Sequence, residues 1–126
     1  MLALALLVAC TPAPCTPPPD GVAAASKWFD DTGYVELDVL SDGTATLIYS
    51  CGFGTADAVL VSGGAIDWTF SGFPSWDSAL NSPPRSAELR GQICADEISG
   101  TVKDDWGTEP VHLTHHNPDT GTACPA

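Results

Sequence analysis

Three observations predict an all-β fold for this chain of 126 residues. From Tyr34 onward apolar residues recur at every second position. Turn residues break that pattern about every 8 to 12 residues. No segment spaces its apolar positions for a helical face. The expected architecture is a single small antiparallel meander of about seven short strands, rolled into a barrel or folded as a sandwich.

The elements follow in order. Trp28 and Phe29 begin a first strand or cap one end of the core. In the run Tyr34 to Leu40, Val35, Leu37 and Val39 face one way and Glu36 and Asp38 the other, the pattern of a half-buried strand. Ser41-Asp42-Gly43 supplies a tight turn, and Thr44 to Ser50 returns with Ala45, Leu47 and Tyr49 on one face. Gly52-Phe53-Gly54 reads as a bulge or turn, since it lacks the third glycine and the following helix of a dinucleotide fingerprint. Ala58 to Val61 is a third strand, closed by Ser62-Gly63-Gly64. Ile66, Trp68 and Phe70 then alternate with Asp67 and Thr69. Residues 71 to 85 hold three prolines and no period, which predicts a long loop. Ala87, Leu89 and Ile93 mark the next strand, Cys94-Ala95-Asp96 a turn, and Glu97 to Lys103 the return. After a turn at Asp104-Asp105-Trp106-Gly107, Glu109 to His116 forms the last strand, with Val111 and Leu113 inward.

The N-terminus carries a different signal. Leu2 to Val8 is a short apolar run ending in Leu7-Val8-Ala9-Cys10, followed by the Pro-rich stretch 11–20. This resembles the lipobox of bacterial lipoprotein precursors. The resemblance implies that residues 1–9 are a cleaved signal peptide and that Cys10 is the lipid-attachment residue and new N-terminus. Residues 10–26 are then a stiff tether and 27–126 the all-β domain. Two or more acyl chains hold a protein stably at a membrane, so the expected location is the cell envelope. In the Gram-negative pattern the residue after the cysteine sorts the protein, and Thr11 leans toward the outer membrane or cell surface.

Charge restricts the partners. Sixteen Asp and Glu stand against four Lys and Arg, a net charge of −12. The carboxylates are scattered, so they form no acidic tail. Nucleic acid is excluded as a ligand because phosphate neutralisation needs a basic surface. Such a surface keeps the protein soluble in an extracellular or salty milieu, or attracts a basic protein partner or divalent cations.

With Cys10 set aside, Cys15, Cys51, Cys94 and Cys124 remain, and an even number in a small exported domain predicts two disulfides. Three pairings are open. One of them, Cys51 with Cys124, pins the C-terminal segment to the early sheet and leaves Cys15 to tie the tether to Cys94. No Cys-x-x-Cys spacing points to a metal. The layout Asp42-Gly43, Cys51-Gly52-Phe53-Gly54, Gly64 to Phe70 and a near-terminal Cys124 is similar to that of small uncharacterised exported bacterial proteins. That resemblance implies an all-β fold and the Cys51–Cys124 pair, and no activity.

Candidate chemistry is sparse. His112, His115 and His116 cluster on the last strand, but residues four apart on a strand lie about 13 Å from each other, too far to share one ion. Asp30-Asp31-Thr32-Gly33 and Asp104-Asp105 lack the alternating ligands and distal Glu of a calcium loop, and read as turns. There is no Gly-x-Ser-x-Gly, no His-Glu-x-x-His and no phosphate loop, and no cofactor is expected. Phe73 and Trp76 are the candidate partner-binding residues: either they anchor a partner from an exposed loop, or the loop folds them over an open barrel end.

The expected function is therefore a lipid-anchored envelope protein with a non-catalytic binding or structural role, its oligomeric state open. A small secreted enzyme is one alternative. Another is an inhibitor of a cationic enzyme, since membrane-bound inhibitors of c-type lysozyme are lipoproteins with small β-barrels. Ser71-Gly72-Phe73-Pro74-Ser75 begins that family's Ser-Gly-x-x-Tyr motif but lacks its Tyr.

Overall fold

The computed structural model describes residues 15–49, 52–73 and 85–118. Ten strands occupy them: β1 (Gly21–Val22), β2 (Ser26–Phe29), β3 (Glu36–Val39), β4 (Ala45–Tyr49), β5 (Gly52–Ala56), β6 (Leu60–Val61), β7 (Ala65–Phe73), β8 (Arg85–Ile93), β9 (Glu97–Asp104) and β10 (Gly107–Thr114). Eight of them close a barrel in the order β10-β2-β3-β4-β5-β7-β8-β9. This is an up-and-down antiparallel meander, as the sequence predicts. It is interrupted once, where β6 leaves the barrel to pair with β1.

Period-two alternation becomes an inside and an outside. Leu37, Leu47, Phe70, Leu89, Ile98, Val102 and Leu113 are buried in the interior, with Trp28 and Trp68 beside them. Eight strands leave an interior just wide enough for side chains to fill. Among the described residues no polar or charged side chain is buried. Trp68 keeps its indole N–H satisfied by donating to the Leu60 carbonyl at 2.8 Å.

Turn chemistry sets the hairpins. Gly43 adopts φ +87°, and the Asp42 carboxylate accepts from the Thr44 amide and hydroxyl, which holds that carboxyl below its ordinary value. Asp104 closes the β9–β10 turn by accepting from the amides of Trp106 and Gly107.

Four elements differ from the sequence reading. The expected third strand, Ala58 to Val61, is strand only at Leu60–Val61 and pairs with β1 outside the barrel. Gly52-Phe53-Gly54 is not a turn but β5, laddered to β4 with Leu47 opposite Gly54. Two glycines hide the alternation there, and the bare Gly54 makes room for a neighbour, since a Cβ on it would run into the Phe73 ring. The expected loop 71–85 is strand at both margins, because Ser71 pairs with Ser86 and Phe73 with Arg85 across a bulge. The last strand begins at Gly107 and ends at Thr114, its start fixed by the hairpin pair Gly107–Asp104.

The segment before β2 is laid on one end of the barrel. Cys15 is bonded to Cys94, with the two Cα atoms 5.5 Å apart. Thr16 accepts from the Ala95 amide, the Asp20 carboxylate accepts from the Gly63 amide, and β1 runs along β6. The segment read from sequence as tether is thus bound to the folded unit at Cys15, Thr16 and Asp20 to Ala23.

Candidate functional site

Strand alternation puts the end of β2, the start of β3, the end of β4, the end of β7, the start of β8 and the β9–β10 turn at the same barrel end. The stapled Cys15 belongs to the opposite end, where β8 finishes at Ile93. The free end collects the exposed aromatic side chains among the described residues: Tyr34 (57 % exposed), Phe53 (61 %) and Trp106 (75 %). Every other aromatic ring described, save the half-buried Tyr49, is in the core.

Closure of the barrel is incomplete at this end. β10 pairs with β9 along its whole length but meets β2 only at Thr114 and Phe29. Beyond Phe29 the chain turns away through Asp30–Gly33 to start β3, so no strand lies beside the first half of β10. Pro110 stands in that half. Proline cannot donate to a ladder and is tolerated at sheet edges. Four successive residues, Gly107 to Pro110, are exposed.

The gap forms a cleft of about 270 Å³. Val35, Val102, Val111, Pro110 and the Tyr49 ring give it an apolar floor and wall. Asp30, Asp31, Thr32, Glu109 and His112 surround them, so three carboxylates and no Lys or Arg line it among the described residues. Burial, and then donation of its hydroxyl to Asp104, push the Tyr49 phenol up to about 12. Burial alone would raise Asp104, but the Tyr49 hydroxyl and the amides of Trp106 and Gly107 outweigh it and hold the carboxyl below its ordinary value.

The acidic groups differ in what they already hold. Asp30 accepts from the Thr32 hydroxyl at 2.9 Å and the Val35 amide at 3.2 Å, which is turn chemistry. Asp105 pairs with Arg85, whose guanidinium also lies 5.2 Å from the Trp106 ring centroid. That contact occupies the cation nearest the Tyr49–Asp104 pair. Asp31 and Glu109 are exposed at the rim.

The sequence candidates are placed as follows. Phe73 is buried, 7 % exposed, edge-on to Tyr49 with ring centroids 6.2 Å apart. It therefore covers the end of the barrel and does not stand out as an anchor. Trp76, Cys10, Cys51 and Cys124 lie outside the described residues, so only the Cys15–Cys94 half of the disulfide reading is seen. The histidines do not converge. His112 bonds Glu97 at 2.8 Å, while His115 stacks on Trp28 with centroids 3.9 Å apart and faces the carbonyls of Lys27 and Ala95. Among the described residues no three His, Cys, Asp or Glu side chains come together to hold a metal.

Sequence reasoning missed the cleft because its parts are spread over the β2–β3 turn, the end of β4, β9 and β10. Pro110 inside an otherwise regular strand is the one signal that marks an open edge. No protein-family model, no curated protein and no solved structure matches the chain.

Proposed function

We propose that the chain is a lipid-anchored protein of the cell envelope whose barrel binds a partner at its free end and catalyses no reaction. The observation that carries this reading is polarity. The chain leading from Cys10 reaches the barrel at the Cys15–Cys94 staple, while the exposed aromatics and the acidic cleft occupy the other end. Cys15 is the fifth residue after Cys10, so the staple sits within about 18 Å of the acylated residue. A membrane-held barrel then presents Tyr34, Phe53, Trp106 and the cleft outward. Aromatic anchors surrounded by polar groups are the usual makings of a binding hot spot.

A binding role suits the chemistry better than catalysis. The interior is apolar, and Asp30 and Asp104 are spent on turn amides and hydroxyls instead of aiming at one reacting atom. Export is the setting in which a disulfide persists.

Intact mass of the protein from the membrane fraction of its native host, before and after reduction and alkylation, tests the anchor. The expected mass is that of residues 10–126 plus a diacylglyceryl group, with no free thiol before reduction. An unlipidated mass with an odd free thiol overturns it.

The acidic cleft favours one second reading, an inhibitor of a cationic enzyme such as lysozyme. Inhibition at micromolar concentration supports it, and its absence at that concentration removes it.

A further inference from the structure

We infer that the cleft beside the open edge of β10 receives the side chain of an arginine or lysine carried by a basic protein. This rests on the binding reading and names the class of partner that the free barrel end takes. A volume of about 270 Å³ lies below the roughly 300–1,000 Å³ typical of pockets for drug-sized ligands and suits a single long side chain. The floor is aliphatic, and Arg and Lys bury a methylene stem along apolar surface while keeping the charged head at the edge. Val35, Val102 and Val111 offer that surface. At the rim Asp31 and Glu109 stand exposed where the head would emerge.

Other occupants fit less well. A partner strand added to β10 would find Pro110 in the middle of the edge, where a ladder donor is missing. A divalent cation would need the Asp30 oxygens, which already accept from Thr32 and Val35. The chain's own Arg85 lies near this end but is engaged by Asp105 and Trp106. A cation supplied by a partner completes the site, and the net charge of −12 steers it there.

Calorimetric titration of the full chain with deca-arginine and deca-lysine at physiological salt tests the proposal, with deca-glutamate as the control. Two double variants carry the same change in net charge: Asp31→Asn with Glu109→Gln at the cleft, and Asp57→Asn with Asp96→Asn at the stapled end. Val111→Trp fills the cleft without touching a charge. The cleft pair is expected to weaken the cationic peptides about tenfold, the distal pair less than about twofold, and Val111→Trp at least as much as the cleft pair. Equal weakening by both pairs means diffuse attraction to an acidic protein and overturns the proposal, as does no binding to the unsubstituted chain, or unchanged binding by a folded Val111→Trp. The anchor is judged separately by the native mass, so either idea can fail alone.

Discussion

Replacing Gly100 by Ala should unhinge the barrel wall, and the structure sets the size of the effect. Gly100 on β9 lies directly opposite Gly91 on β8. A Cβ on Gly100 would overlap the Arg90 carbonyl oxygen and stand 2.7 Å from the Gly91 Cα. Real Cβ atoms essentially never come within 3.0 Å of such atoms, so the strands must part. Both obstacles are backbone, which cannot rotate aside. Parting lengthens the ladder bonds on either side and weakens them. Two such bonds at about 1 kcal/mol each, with overpacking of about 1–3 kcal/mol, give a destabilisation of about 3–5 kcal/mol. For a domain of this size that lowers Tm by about 15 °C or more. Gly54→Ala is the instructive comparison: its obstacle is the Phe73 ring, a side chain that can swing, so about 1–2 kcal/mol is expected. Ser99→Ala, an exposed neighbour on β9, should stay within about 0.5 kcal/mol. Thermal melts by circular dichroism, with urea titrations checking that the m-value is unchanged, read all three. A Gly100→Ala variant melting within about 3 °C of the parent would refute the reasoning, because the strands would then have room that the facing glycines deny.

Two further outcomes are expected. Cys15→Ser with Cys94→Ser opens a link spanning 79 residues, which the chain-entropy relation values at about 4.5 kcal/mol, so the reduced barrel should melt far lower, and a shift under about 5 °C would show that β1 and its contacts suffice. Asp104→Asn should cost about 1 kcal/mol at pH 7 once solvent screening of this partly exposed group is allowed for. Its folded value lies below the ordinary 3.8, so its stabilisation is present above 3.8 and fades as pH falls through the lowered value; melts of parent and variant should converge in acid, and a gap that persists unchanged to pH 2 would count against the Tyr49–Asp104 link.

The fold class, most of the strands and the inward residues are legible in the order of residues alone. Val35, Leu37 and Val39, then Ile66, Trp68 and Phe70, alternate strictly, and one buried face per strand leaves a single workable register. Asp42-Gly43 and Asp104 to Gly107 announced their turns through φ > 0 and carboxylate-to-amide bonding, both of which are local. Net charge likewise needs no coordinates. The remaining features are long-range and exist only in the folded chain. β5 was hidden because Gly52 and Gly54 erase the period, and the reason for Gly54 is a ring nineteen positions later (73 − 54 = 19). Phe73, read from its expected loop either as an anchor or as a cover for the barrel end, is core because β7 runs through it. The barrel, as opposed to a sandwich, depends on whether β10 returns to β2, a contact between chain segments no local pattern links. The cleft arises because that closure stops at Thr114, leaving carboxylates from the β2–β3 turn and from β10 around a floor that sequence order never brings together.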